Sequence, residues 1–229
     1  MTTSRQAARS TSRQLAAGAV GGPLFVAAFT VIGEARSGYD WQRHAVSSLA
    51  CGRQGWPQRA NFIVTGMLYC AASRGLGQSP RRAVGPLVSV LVGAAGAGLI
   101  GSGLFVTDPV GGFPPSAAAA HEGRDGAASE PTREGMLHNL SAIPIFAGMP
   151  AAGLVAAAAA ARARDYRWAS YSAASSVAMV GSFVLFGAAF SGKHNLEGRA
   201  GAIQRLSVVS GFGWVTALSL RALHALRKP

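Results

Sequence analysis

Six long apolar runs divide this sequence, and they constrain its fold more than any other feature. Each run is close to the roughly 20 residues that an α-helix needs to cross the hydrocarbon core of a bilayer. Only 13% of the residues are charged, whereas soluble domains carry roughly 25%. The runs predict an all-α fold, a polytopic membrane bundle of six transmembrane helices, with spans at about residues 15–33, 60–76, 83–105, 137–161, 168–189 and 203–223.

The first run follows a basic segment, an arrangement that is also typical of a cleaved signal peptide. It is longer than the usual apolar core of a signal peptide and further spans follow, so we interpret it as an uncleaved first helix. Residues 1–14 and 224–229 are then short tails. Pro23 predicts a kink in the first span, and Pro144 and Pro150 predict a bend in the fourth.

The distribution of Lys and Arg predicts that both termini are cytoplasmic. With that orientation 12 of the 21 basic residues lie on the inner side, on short segments where the positive-inside rule applies. Asp165 is the one acid on that side. Because the net charge of +12 is spread between apolar runs, without the concentrated patch of a nucleic-acid binder, we expect the partner to be the bilayer of the cell membrane rather than nucleic acid.

Two further sequence features concern the outer side. Residues 111–134 are rich in Pro, Gly, Ala and acids without apolar periodicity, which predicts a mobile external loop. Cys51 is predicted to lie in an external loop and Cys70 deep in a span, too far apart for the Cα separation of about 7 Å or less that a disulfide needs.

Polar side chains from separate parts of the chain are predicted to meet at the extracytoplasmic face. Ionisable residues near membrane depth are costly and often functional. His44, Asp108 and His138 have the ligand types of a catalytic zinc site with one position left for water, although no metal-binding motif is present. The alternative is a hydrogen-bonded cluster that fixes helix packing, in which Asp108 pairs with Arg205.

A short interfacial helix at residues 40–49 would place Asp40, His44 and Ser48 on one face, in the order of an acid, a base and a nucleophile. In that interpretation Ser48 is catalytic. The alternative is that Asp40 caps the helix while His44 and Ser48 face headgroups, because true triads are defined by convergent geometry rather than by spacing.

Arg205 lies in the first turns of the sixth span and is the main candidate for binding a lipid phosphate or another anionic group, which a guanidinium recognises bidentately. Ser47 and Ser141 are the hydroxyls predicted to assist it in substrate or anion binding.

Several stretches, in this order, resemble a bacterial integral membrane family filed as domain of unknown function 998: "GGPLFV", "GYDWQRHAVSSLACGRQGWPQRANFIVTG", "GSGLFVTDP", "TREGMLHNLSA" and "GRAGAIQRLSVVSGFGW". The resemblance covers about residues 18–223. It implies six spans and polar positions such as His44, Ser47, Asp108, His138 and Arg205, but it implies no reaction.

Two functions remain open from the sequence. The first is a non-catalytic protein that binds or handles a lipid or an amphipathic small molecule at the outer leaflet. The second is a membrane-embedded enzyme, either a metal-assisted hydrolase or a carboxylate acid catalyst on an isoprenoid-like substrate, in which Asp108 and His138 bind the metal or transfer protons. The sequence favours the first, because it contains no motif with recognised catalytic mechanics.

Overall fold

The computed structural model describes residues 2–79, 85–115, 131–190 and 196–227. Each predicted span falls on one long helix, which confirms the all-α fold. Two predicted tails are largely helical as well, since α1 contains most of residues 1–14 and α6 runs into residues 224–229. The six long helices of the described residues are α1 (Thr2–Glu34), α2 (Trp56–Gly77), α3 (Pro86–Leu104), α4 (Arg133–Arg162), α5 (Tyr166–Phe190) and α6 (Ala200–Arg227).

Five of these helices are long and apolar enough to cross a membrane: α1, α3, α4, α5 and α6. Helix α2 has the length but not the hydropathy, because polar residues interrupt it. Those polar groups bind backbone carbonyls of neighbouring helices: Arg59 binds Gly103 of α3, Asn61 binds Phe25 of α1, and Ser73 binds Ser89 of α3. The same contacts show that α2 runs antiparallel to α3, since the start of α2 meets the end of α3 and its end meets the start of α3.

The six helices form a closed ring in chain order. Each helix packs against the next, and α6 closes the ring by packing against α1. Abundant glycine lets neighbours approach closely: a Cβ added to Gly96 of α3 would lie 2.8 Å from the carbonyl oxygen of Gly66 on α2. The ring has a loop end, where α1, α3 and α5 finish, and an opposite end that carries the α4–α5 turn.

Helix α4 changes its geometry halfway along. Residues Pro144–Gly148 form a π-helical turn between two α-helical halves. Pro144 and Pro150 flank this turn, and proline cannot donate a backbone hydrogen bond. The predicted irregularity of the fourth span is therefore a π-turn, a feature that often occurs at functional sites.

Two segments, residues 35–55 and 105–115, cover the loop end, and we call them the loop cap. Phe113, which falls within the predicted mobile loop, is 1% exposed. Its ring contacts the rings of Tyr39 and His44, and the guanidinium of Arg36 lies 5.3 Å from its centroid. The beginning of that loop is therefore folded onto the cap, whereas residues 116–130 lie outside the described residues.

Candidate functional site

A cavity of about 270 Å³ occupies the centre of the helix ring in its loop-end half. All six helices and the loop cap contribute to its wall. Most of the lining is apolar, and its aromatic side chains are Phe25, Phe62, Phe146, Phe183, Phe186 and Phe212. This is the largely apolar, concave kind of space in which proteins bind small molecules.

The polar residues of the wall come from the loop cap and from the helix turns nearest to it. They are Ser47, Ser102, Thr107, His138, Asn139 and Gln204. Gln204 accepts a hydrogen bond from the backbone N–H of Val46 (2.7 Å), and the Nδ1 atom of His138 lies 3.0 Å from the carbonyl oxygen of Phe105. The Oγ atom of Ser102 is buried and has no hydrogen-bond partner among the described residues. The cavity is therefore amphipathic, with its polar groups at the loop end.

Arg205 does not line this cavity; it holds the loop cap onto the start of α6. One guanidinium nitrogen donates to the carbonyl oxygens of Trp41 (2.6 Å), His44 (3.2 Å) and Gly201 (3.0 Å). The other donates to the hydroxyl of Tyr39 (2.6 Å). The same guanidinium lies 5.4 to 5.9 Å from three aromatic centroids, those of Phe29, Tyr39 and Trp41.

His44 joins the two segments of the cap. Its Nδ1 atom accepts a hydrogen bond from the backbone N–H of Asp40 (2.9 Å), so this nitrogen carries no proton. Burial lowers the pKa of His44, and so does the nearby charge of Arg43; a hydrogen bond with the Gly111 backbone acts in the opposite direction. The folded protein therefore holds His44 in its neutral form.

We predict that the protein loses stability when the pH falls from about 7.5 to 5.5, because the lowered pKa of His44 in the folded chain lets the unfolded chain bind more protons at this residue than the folded chain does. The midpoint of thermal unfolding in detergent, measured across this range, checks the sign. The variant His44→Gln cannot titrate and should show a flatter pH profile. If the thermal midpoint depends on pH equally in the parent protein and in His44→Gln, the assignment of this effect to His44 is wrong.

Asp108 binds the start of α4. Its carboxylate accepts hydrogen bonds from the backbone N–H (3.1 Å) and the hydroxyl (2.6 Å) of Thr132. The Thr132 oxygen in turn accepts from the backbone N–H of Gly135 (3.0 Å), which makes Thr132 the N-cap of the helix. A carboxylate at this end also interacts favourably with the helix dipole. Asp108 therefore joins the loop cap to α4.

The structure does not assemble the predicted zinc ligands His44, Asp108 and His138. Within the described ranges, no group of three or more His, Cys, Asp and Glu side chains is placed to hold a metal ion. Each member of the set is engaged elsewhere: His44 with Asp40, Asp108 with Thr132 and His138 with Phe105. Asp108 does not pair with Arg205, and the ion pair found in the described part of the chain joins Arg221 to Asp165.

The predicted serine triad is not formed either. Residues 40–46 are turns rather than helix, and Ser48 belongs to a separate 3₁₀ turn at Ser47–Ala50. The carboxylate of Asp40 accepts from the backbone N–H of Gln42, not from the imidazole of His44. Ser48 is fully buried, and its hydroxyl has no hydrogen-bond partner in the part of the chain that the structure describes.

The predicted substrate-binding hydroxyls lie in different places. Ser47 is on the cavity wall. Ser141 donates to the carbonyl oxygen of Leu137 and packs where α4 crosses Gly98 and Gly101 of α3. Of the seven residues that the sequence singled out as a site, the cavity therefore gathers His138 and Ser47.

Sequence reasoning missed four polar residues of the cavity: Ser102, Thr107, Asn139 and Gln204. The last three are each next to a residue that was considered: Asp108, His138 and Arg205. A glutamine or asparagine within an apolar span is itself an unusual choice, since its amide needs a partner away from water. That signal was available for Asn139 and Gln204.

The closed ring of long apolar helices around an amphipathic cavity defines a multi-pass helical membrane protein. The chain belongs to the family described as "Protein of unknown function (DUF998)", whose model matches residues 19–221. Comparison with curated proteins and with solved structures finds no match.

Proposed function

We propose that this chain holds an amphipathic, lipid-like molecule in the cavity of its helix ring, with the polar group of the molecule toward the loop end. The observation that carries the proposal is the cavity itself, because the wall is largely apolar and the six polar residues of its described lining all come from the loop cap and the helix turns nearest to it. An amphiphile with its polar group at the loop end matches this distribution of polar and apolar parts.

The proposal counts α2 as a membrane span in addition to the five helices that are apolar enough to cross a bilayer. Helices α1 and α3 flank α2, and α2 contacts them from the level of Phe25 down to that of Leu15. Helices that cross a bilayer in the same direction need a return segment between them. A membrane span must keep its polar groups away from lipid. The polar groups of α2 meet this requirement, because they bind carbonyls of the neighbouring helices.

We further propose that the loop end faces the extracytoplasmic side and that both termini are cytoplasmic. The bias of basic residues supports this orientation, and three loop-end arginines, Arg36, Arg59 and Arg205, are engaged by carbonyls of the protein itself. A green fluorescent protein fused to the C-terminus should fluoresce in cells, since it folds in the cytoplasm. A fusion that stays dark while the chain is present in the membrane would reverse the orientation.

The geometry favours binding over catalysis. The acid, base and nucleophile candidates that the sequence suggested are separated by the fold, and two of them, Asp108 and His44, have structural hydrogen bonds. Among the lining residues that the structure describes, the imidazole of His138 is the titratable group and there is no carboxylate.

Filling the cavity tests the proposal. Gly187 lines the cavity, and among the described residues no atom lies within 4 Å of the first carbon of a side chain added there. We predict that Gly187→Phe lowers the amount of lipid retained by the purified protein at least about tenfold, the change that corresponds to 1.4 kcal/mol of binding free energy. Native mass spectrometry of protein extracted in mild detergent measures the retained mass.

The matched control is Gly181→Phe, on the same helix but away from the cavity, where no atom of the described residues lies within 4 Å of an added first carbon either. It should retain the lipid of the parent protein. In a second blocking variant, Ala142→Phe, the added phenyl ring enters the cavity from the opposite wall, on α4. Retention that is unchanged in both blocking variants, at parental thermal stability, would refute the proposed site.

A further inference from the structure

The central cavity adjoins a groove on the outer surface of the helix ring. The groove has a volume of about 760 Å³ and lies between the loop-end halves of α4 and α5. Four residues line both spaces: Asn139, Ala142, Phe146 and Phe183. On the lipid-facing rim the groove is apolar, with Met136, Leu140 and Ile143 exposed.

This groove exists because α4 and α5 separate toward the loop end. The half of α4 after the π-turn packs on α5, where Gly153 allows close approach to Ser176. The half before the π-turn, Arg133–Ile143, packs on α3 instead. The π-turn at Pro144–Gly148 lies at the point where the two helices part.

A stacked aromatic pair fills the space between the separated helices. The rings of Phe146, in the π-turn of α4, and Phe183, on α5, have centroids 4.0 Å apart and planes inclined by 12°. Because both rings line the cavity and the groove, the pair forms the boundary between the two spaces. Side chains can change rotamer without unfolding a helix, so this boundary opens more easily than a contact between backbones.

We propose that the ligand enters the cavity from the membrane through this groove, that the Phe146–Phe183 pair is the gate, and that the ligand is an uncharged lipid whose hydrocarbon chain stays in the groove. This inference rests on the proposed function, since it assigns the route and the ligand class of the same cavity.

Size and charge define the ligand class. A volume of about 270 Å³ is below the usual range of roughly 300–1,000 Å³ for small-molecule pockets, so a complete lipid chain has to extend beyond the cavity. The groove is the adjoining apolar space. No Lys, Arg, Asp or Glu is among the lining residues of either space within the described ranges. A charged headgroup would therefore be desolvated without a counter-charge, whereas hydroxyl or carbonyl groups match Ser102, His138, Asn139 and Gln204.

Photo-crosslinking tests the route and the ligand class together. The full-length protein in phosphatidylcholine nanodiscs is incubated with a long-chain alcohol that carries a diazirine at the end of its chain, or with the phosphate monoester of the same alcohol. After irradiation, mass spectrometry of peptides locates the label. We expect the alcohol to label residues 136–147 and 180–187, and Gly187→Phe to reduce that labelling whereas Gly181→Phe does not.

The gate is tested by kinetics. Phe146→Ala removes the stacked pair and should speed the approach to maximal labelling about fivefold, the rate change expected for loss of one aromatic stacking interaction. Tyr171→Ala, an exposed aromatic on the same α5 but far from the groove, should leave the rate unchanged. An unchanged rate in Phe146→Ala overturns the gate.

Other results separate this inference from the proposed function. Label on the α1–α6 surface beside Arg205, sensitive to Gly187→Phe, overturns the route although the cavity still binds a lipid. Stronger labelling by the phosphate overturns the ligand class alone. Label that is insensitive to Gly187→Phe and Ala142→Phe, wherever it lies, overturns the route and the proposed function together.

Discussion

Replacing Gly201 by alanine is expected to lower the free energy of unfolding by about 3 kcal/mol, as overpacking against rigid backbone does. Gly201 lies in the first turn of α6, where its N–H donates to the carbonyl oxygen of Arg43 (3.2 Å). An added Cβ would overlap the carbonyl oxygens of His44 and Trp41. Those atoms are backbone and cannot move aside as a flexible side chain would, so the cap would have to leave the start of α6.

The measurement is the thermal midpoint in detergent, which should fall by roughly 10 °C for a chain of this size. Gly213→Ala is the matched control, because Gly213 lies on the same helix and an added Cβ there has no described residue within 4 Å. Alanine favours helix over glycine by about 1 kcal/mol, so the control should be neutral or slightly stabilised. Equal midpoints for the two variants would show that the cap does not depend on close approach to α6.

Replacing Arg205 by methionine is expected to cost about 3 kcal/mol, since hydrogen bonds from charged donors are lost and their buried acceptors remain unpaired. Methionine keeps much of the length of the side chain but offers no donor to Trp41 or Tyr39. Arg205→Lys should be intermediate, because a compact ammonium cannot reproduce the planar fork of the guanidinium.

The reactivity of the Cys51 thiol gives a second measurement of the destabilisation caused by Arg205→Met. The side chain of Cys51 is 2% exposed, and burial raises the pKa of the thiol to about 11. It therefore reacts slowly with maleimide near neutral pH in the parent protein. In a Cys70→Ser background, Arg205→Met should speed labelling of Cys51 at least about tenfold, the factor that 1.4 kcal/mol of local destabilisation represents.

Arg43→Met is the control for Arg205, because Arg43 is an exposed arginine of the same cap segment. It should leave both the thermal midpoint and the labelling of Cys51 close to parental values. If Arg205 serves instead as the anion-binding residue that the sequence suggested, Arg205→Met would reduce lipid retention while leaving Cys51 protected. That outcome would contradict the structural role.

The helices were predictable because apolar length is a local property that the sequence displays directly. Even so, the apolar pattern underestimated the length of several helices. Helix α1, for example, extends back to Thr2 through polar residues. The position of the irregularity in the fourth span was predicted correctly at Pro144, because proline removes a backbone donor whatever surrounds it.

The candidate site was much less predictable. Asp108 and Arg205 were recognised as unusual residues, but their partners are a threonine across an intervening loop and a set of backbone carbonyls. A carbonyl has no sequence signature, since every residue carries one. The cavity itself is a space between helices, and its location depends on where α4 parts from α5, which no single segment determines.

The closed ring also dictates the order in which the molecule is completed. Contacts between consecutive helices are available as soon as each hairpin has been synthesised, and such local contacts form quickly. The contact between α6 and α1 is different, because it joins the two ends of the chain. Arg205 and Gln204, which connect α6 to the cap, belong to this last helix. The cavity therefore lacks the part of its wall that α6 supplies until α6 has packed against α1.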